Sequence, residues 1–201
     1  METPFAFGAN AVAVVGLRGD SVRVYLNDPD EGVVYDVTTN LVDIGVGDWW
    51  GYYFSDYIFQ TVAYLSNLPP YSEATLGVEV FASEQLAAAG RLLFGPEKDV
   101  GISAGEVGVR IEDYSRRERD VFGNLNLAPR RTIQVLDYTF MVEPEVVASV
   151  RRIFENLAAT AALYAADPDS PETVVFGVFN RWDTLTDTRT ICECSATVEE
   201  F

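Results

Sequence analysis

The sequence predicts a β-rich α+β protein: an antiparallel β-sandwich followed by a strand-helix-strand-strand module with one long helix. This prediction depends on three observations. Apolar and polar residues alternate with a period of two in many segments, which is typical of half-buried strands. One later segment has apolar residues at spacings of three and four, as in an amphipathic helix. The chain has 201 residues, of which 48% are hydrophobic, enough to form a packed core.

The alternating pattern predicts strands along most of the chain. Val22, Val24 and Leu26 alternate with more polar residues, and the turn residues 27–32 then predict a hairpin. Residues 84–94 fit a helix or a strand, and we favour a strand. The other predicted strands are residues 12–15, 33–37, 75–81, 107–112, 131–141, 173–179 and 190–198.

A long helix is predicted after Glu143. Pro144 stands at the first helical turn beside acidic residues, where free N–H groups and the helix dipole favour negative charge. Asp167 and Pro168 end the pattern, which gives a helix of about 22 residues, roughly 33 Å long. Its apolar stripe consists of Val147, Val150, Phe154, Leu157 and Ala161.

These elements suggest three parts in the chain. Residues 1–40 hold N-terminal strands and a hairpin of unclear role, residues 41–128 form the β-sandwich, and residues 129–201 form the strand-helix-strand-strand module. Asparagine and proline residues interrupt the alternating strand pattern near residues 127–131, so we expect the domain boundary there.

Composition excludes several classes of function. The chain contains no histidine, which removes Ser-His-Asp triads, Cys-His dyads and imidazole zinc sites. Its 31 acidic and 14 basic side chains give a net charge of −17, which argues against a nucleic-acid partner. No apolar run approaches the roughly 20 residues that span a bilayer, and no secretory signal pattern precedes the first strand, so membrane insertion is not expected.

The charges are unevenly distributed. Residues 1–90 carry 12 acidic and 2 basic side chains, residues 91–152 carry 10 of each, and residues 153–201 carry 9 acidic and 2 basic. Most arginines therefore lie in a central third between acidic flanks. The asymmetry can act between subunits, or the arginines can pair with acidic neighbours on a solvated surface.

The densest aromatic run contains Trp49, Trp50, Tyr52 and Tyr53. Large aromatic side chains most often form cores or subunit interfaces, and this is the favoured interpretation. The alternative is a platform that stacks on sugar rings.

The most distinctive charged run, residues 113–124, contains Arg116, Arg117 and Arg119 among three acidic residues and ends in Gly-Asn. It predicts a charged hairpin tip or ordered loop. The planar guanidinium of arginine suits bidentate pairing with carboxylates, either within the chain or on a neighbouring subunit. A contact with an anion is the least favoured interpretation.

No catalytic residue, metal site or cofactor is predicted, and we expect the protein not to be an enzyme. Acidic residues are so abundant that a close carboxylate pair would carry little information. Cys192 and Cys194 share one face of the last predicted strand, which favours two small buried residues over a mutual disulfide or a zinc site. A disulfide to another chain is the alternative.

Several of these motifs, in this order, resemble a family of minor structural proteins of tailed-bacteriophage tails, over roughly residues 40–201. The most specific is Tyr114-Ser115-Arg116-Arg117, which is followed by Asp120-Val121-Phe122-Gly123-Asn124. The other matching motifs are Asp43-Ile44-Gly45, Trp50-Gly51-Tyr52-Tyr53-Phe54, Asn67-Leu68-Pro69-Pro70-Tyr71, the strand 130–140, Val175 to Phe179, and Cys194 to Glu199.

The resemblance implies a structural component of the virion, in the tail tip, baseplate or fibre-attachment region. Its partners would be further copies of itself in a ring-like homo-oligomer and other tail proteins. Arg116, Arg117, Arg119 and the aromatic run are the expected subunit contacts. Some members of the family are described as carbohydrate-binding, so the alternative is a module that binds a host-surface glycan through Trp49, Trp50 and Tyr52.

Overall fold

The computed structural model describes residues 2–4, 8–43, 49–54, 58–83, 86–119, 121–167, 170–185 and 191–201. It divides into two compact units, unit 1 (Met1–Lys98) and unit 2 (Asp99–Phe201), and each has its own hydrophobic core. Strands predominate and every sheet is antiparallel, which confirms the predicted β-rich α+β class.

The elements of unit 1 follow in chain order. They are β1 (Glu2–Pro4), β2 (Ala11–Val15), β3 (Ser21–Asp28), β4 (Gly32–Asn40), β5 (Val42–Asp43), α1 (Trp49–Phe54), β6 (Ile58–Phe59), β7 (Val62–Leu65), β8 (Thr75–Phe81) and β9 (Arg91–Gly95).

Two sheets of unit 1 share one core, as in a β-sandwich. A four-stranded sheet has the order β1-β8-β3-β4, and a three-stranded sheet has the order β7-β2-β9. The alternation in β3 buries one face of the strand and half-exposes the other, as its sequence predicts. The predicted hairpin is confirmed, since β3 pairs with β4. The core members with the least exposure are Val12, Val14, Leu17, Val22, Val24, Leu26, Leu41 and Leu76.

The predicted separation of residues 1–40 from a sandwich at 41–128 is wrong. β3 lies between β4 and β8, and β2 lies between β7 and β9, so strands from both parts form the same sheets. The strand preference for residues 84–94 is confirmed from Arg91 onwards by β9. The sandwich-like unit therefore begins with the N-terminal strands and ends before Asp99.

The elements of unit 2 are strands, one described helix of ten residues and a short 3₁₀ turn. They are β10 (Ile102–Asp113), β11 (Arg116–Arg119), β12 (Leu125–Ala128), β13 (Thr132–Val142), α2 (Val147–Asn156), β14 (Ala162–Ala165), the 3₁₀ turn Pro171–Thr173, β15 (Val174–Leu185) and β16 (Cys192–Glu200).

Unit 2 is built on a five-stranded sheet with the order β10-β13-β16-β15-β14. Val150 and Phe154 of α2 are buried in a core with side chains from one face of this sheet. Phe154 stacks against Phe140 and Trp182, with ring centroids 6.4 and 6.1 Å apart. The helix therefore covers one face of the sheet with the apolar stripe that the sequence predicts.

The predicted length of this helix is wrong. Residues 144–146 form a turn, so the helix begins at Val147 and ends at Asn156 after ten residues. Ala159 has a φ of 58°, a left-handed conformation that interrupts helical hydrogen bonding. The alanine-rich residues that follow form β14 and pair with β15, because a strand there extends the sheet and buries Tyr164.

The predicted boundary near residues 127–131 is also wrong. β10 pairs with β13 from Ile102↔Met141 to Asp113↔Thr132, so the segment joins two neighbouring strands of one sheet. Asn124 precedes β12, Asn126 lies within it and Pro129 follows it, so these residues belong to a long hairpin. The division between the units lies instead at Lys98 and Asp99.

Replacing Leu26 tests the core of unit 1. Leu26→Ala removes a fully buried side chain from β3 and should lower the free energy of unfolding by about 2–5 kcal/mol. Val33→Ala, on the exposed face of neighbouring β4, should change it by less than about 0.5 kcal/mol. Equilibrium urea unfolding measures both, and equal losses would contradict the assigned core.

Candidate functional site

The segment that carries the three predicted arginines is a projecting hairpin. β11 and β12 pair antiparallel from Arg116↔Ala128 to Arg119↔Leu125 and continue the β10–β13 pair beyond the five-stranded sheet. We call residues 116–128 the arm. Every arm residue that the structure describes is exposed. The predicted hairpin is confirmed, with the arginines on one of its strands, and at a rise of about 3.3 Å per residue the segment from Asp113 to Arg119 spans roughly 20 Å.

Asp113 and Ser115 join the arm to its base. The backbone N–H of Ser115 donates to Asp113 Oδ1 at 2.9 Å, and the N–H of Arg130 donates to Ser115 Oγ at 3.1 Å. Arg117 Nη2 lies 2.7 Å from Asp113 Oδ2. Hydrogen bonds from the Ser115 side chain and backbone, then the Arg117 guanidinium, lower the pKa of Asp113 to about 2. The Asp113 carboxyl at this joint is therefore ionised at neutral pH.

The two faces of the arm differ in chemistry. Residues directly opposite each other in an antiparallel pair point to the same side of the ribbon. One face therefore carries Arg117 and Arg119 with Leu127 and Leu125 opposite them. The other face carries the remaining arm residues of the two strands, namely Arg116, Glu118, Asn126 and Ala128. On that second face the Arg116 guanidinium pairs with the Glu118 carboxylate.

The turn of the arm is apolar. Val121 is 94% exposed and Phe122 is 87% exposed, beside Gly123, whose φ of 85° lies in the left-handed region that glycine adopts without strain. Leu125 and Leu127 are also exposed. These four apolar side chains were missed by the sequence analysis, although leucine alternates after the Gly-Asn turn with the period of a strand.

The predicted aromatic run forms helix α1 in unit 1. Trp49 is 78% exposed and Trp50 is 71% exposed. Trp49 and Tyr53 are one helical turn apart and their rings stack, with centroids 6.2 Å apart and planes 18° apart. These side chains are therefore not part of the core of unit 1. Tyr52 belongs to α1, but its side chain lies outside the described residues.

The other motifs of the sequence have structural roles. Leu68 is buried, and the Tyr71 hydroxyl donates to Glu31 Oε2 at 2.7 Å, so the Pro-Pro segment is a packed turn of unit 1. Residues 44–48, which belong to another motif, lie outside the described part of the chain. The arm and α1 are in different units, and each is treated as a separate candidate surface.

Cys192 and Cys194 are buried thiols, as predicted. Cys194 Sγ lies 3.1 Å from Thr184 Oγ1, and burial raises the pKa of its thiol. A buried thiol with a raised pKa is a poor nucleophile. Among the described residues, no group of three His, Cys, Asp or Glu side chains could hold a metal ion. No helix within the described ranges is long and apolar enough to cross a membrane.

Comparison with known proteins gave no match: no protein-family model fits the chain, and no curated protein sequence is significantly similar to it. The resemblance to phage tail proteins therefore remains a prediction from the motifs themselves.

The low pKa of Asp113 gives a prediction for the joint of the arm. Its ordinary pKa is 3.8, so the carboxylate interactions should be fully present above about pH 4 and lost as the pH falls through about 2. NMR titration of the side-chain carboxyl carbon should show this midpoint. Ser115→Ala and Arg117→Gln should each raise this pKa, because each removes a side chain that stabilises the carboxylate. An unperturbed midpoint near 4 in the wild type would contradict the geometry.

Proposed function

We propose that this protein is a structural component of a bacteriophage tail, in the tail tip, baseplate or fibre-attachment region. It would act through symmetric packing of several copies of itself and through contacts with other tail proteins. The observation that carries this proposal is the arm, a two-stranded ribbon in which all described residues are exposed.

An exposed arm of this kind favours assembly for a physical reason. A two-stranded hairpin alone in water is marginally stable, since neither face is buried. The arm nevertheless places four apolar side chains, Val121, Phe122, Leu125 and Leu127, at the surface. Contiguous apolar surface rimmed by charged groups is typical of a protein contact site. A contact that covers the arm would bury these side chains and stabilise the ribbon.

The chemistry of the chain supports a role in assembly over turnover. An assembly protein needs complementary surfaces in repeated subunits and no titrating catalytic group, and this chain has no histidine. The arginines of the arm and the acidic flanks supply opposite charges within one sequence. The class of assembly, a phage tail, comes from the motif resemblance over residues 40–201.

Purified virions of the phage that encodes this chain provide the test. Quantitative mass spectrometry should find the protein at a copy number per virion that is a whole multiple of the number of subunits in one symmetric ring. A variant in which an Asn-Gly turn replaces residues 116–128 should be depleted from particles at least tenfold, because the contact surface is removed. The control Arg151→Gln/Arg152→Gln alters exposed arginines of α2 and should be incorporated normally.

Absence of the wild-type protein from virions would overturn the proposal. Equal incorporation of the arm deletion would overturn the assigned role of the arm.

A carbohydrate-binding virion module is the second candidate, and the geometry of α1 favours it. Trp49 and Tyr53 present stacked, exposed rings, and Trp50 is exposed beside them. Exposed aromatic faces of this kind can pack against the C–H faces of sugar rings. The same side chains could equally anchor a subunit contact, since tryptophan and tyrosine are enriched at interface hot spots.

A glycan array separates these two roles of α1. If the module binds a host-surface glycan, Trp49→Ala/Trp50→Ala should lower the array signal at least tenfold while leaving the circular dichroism spectrum unchanged, because both side chains are exposed. Tyr114→Ala removes an exposed aromatic side chain in the other unit and should leave binding intact. No wild-type signal above background would contradict the glycan-binding candidate.

A further inference from the structure

We propose that one face of the arm docks on an acidic surface of a second copy of this chain, in a head-to-tail arrangement. This face carries Arg117, Arg119, Leu125 and Leu127. The inference rests on the proposed function, because it requires self-assembly. It adds which face of the arm makes the contact, which chemical groups take part and which symmetry relates the copies.

The docking face continues an apolar strip that begins in the core of unit 2. Val107 packs against that core, and Val109 pairs with the buried Leu136. Val109 and Ile111 lie on the same side of β10 as Val107, and their side chains are exposed. Asp113 lies on this same side of β10, and its carboxylate pairs with Arg117 of the docking face. The strip is therefore buried at its base and exposed toward the arm.

The position of Arg116 separates it from the other two arginines. Arg116 pairs in register with Ala128 on the opposite face, and its guanidinium is held by Glu118 on that same face. Arg117, which also pairs with Asp113 at the base of the arm, and Arg119 have leucines as their cross-strand neighbours. Two guanidinium groups beside two leucines form a surface that fits a partner with apolar contacts and carboxylates.

Charge complementarity identifies the partner as a second copy. Residues 1–98 carry 13 acidic and 4 basic side chains, and residues 99–201 carry 18 acidic and 10 basic side chains. Both units are therefore net acidic. The arm is a cationic part of a chain with a net charge of −17, with three arginines against Glu118 and Asp120. Its arginines attract acidic side chains of another copy, whereas the net charges of the two chains repel.

The same charges disfavour contact between two arms. A two-fold contact would bring the docking face against itself, with Arg117 and Arg119 of both copies close together. Like charges across an interface are repulsive, so the arm must meet a different surface of its partner. Such a contact is reciprocal in a two-fold dimer and head-to-tail otherwise, and we propose the head-to-tail form, which closes into a ring when the rotation between copies permits.

The test measures self-association of the full chain by analytical ultracentrifugation at about 50 mM and about 1 M salt. Arg119→Glu should weaken association at least tenfold at low salt and have little effect at high salt. Leu127→Ser should weaken it at both salt concentrations, because apolar burial is not screened. Arg116→Glu has the same charge change on the opposite face and should weaken it less than threefold. Arg152→Glu, on α2, should leave it unchanged.

Thermal unfolding should be the same in all four variants, since the altered side chains are exposed. Equal effects of Arg119→Glu and Arg116→Glu would overturn the assignment of the face. A monomeric wild type at every concentration and salt would overturn docking between copies. That second result leaves the tail proposal standing if virions contain the protein, so the two failures are distinguishable.

Discussion

The antiparallel pairing of β10 with β13 determines where the most distinctive residues of this protein lie. At one end of the pair, Val107 and Tyr138 are anchored in the core beneath α2. The same two strands then leave the five-stranded sheet and continue as β11 and β12, where no sheet neighbour is described on either side. The arm's own ladder, from Arg116↔Ala128 to Arg119↔Leu125, fixes which residues share a side of this ribbon. This is why the arm has two defined faces.

Electrostatic interactions also join the arm to its base. Asp113 accepts hydrogen bonds from Ser115 and pairs with Arg117, while the Arg130 backbone bonds to the Ser115 hydroxyl across the ribbon. These bonds lie where the two ladders meet and the regular register is interrupted. A hydrogen-bonded joint of this kind restricts how the ribbon bends relative to its base. Arg117 of the arginine and leucine face thus contacts Asp113, which is on the same side of β10 as Val107.

The sequence predicted local structure better than tertiary pairing. The hairpin of β3 and β4, the strand Thr75–Phe81 and the charged hairpin containing Arg116 follow from alternation and turn residues, which depend on near neighbours. The predicted domain boundary near residues 127–131 and the predicted helical structure of residues 162–165 were wrong, because the structure of both segments depends on pairing with distant strands. Of the candidate sites, the arginines could be placed on a hairpin, but their faces required the register.

Because the arm lies outside both hydrophobic cores, its sequence is released from the packing constraints that govern residues such as Leu136 and Val198. Substitutions there change the chemistry of an exposed surface while leaving the free energy of folding nearly constant. The arm can therefore vary in sequence while both hydrophobic cores stay the same. The fold separates the residues that must be conserved to keep a shape from those that are able to diverge.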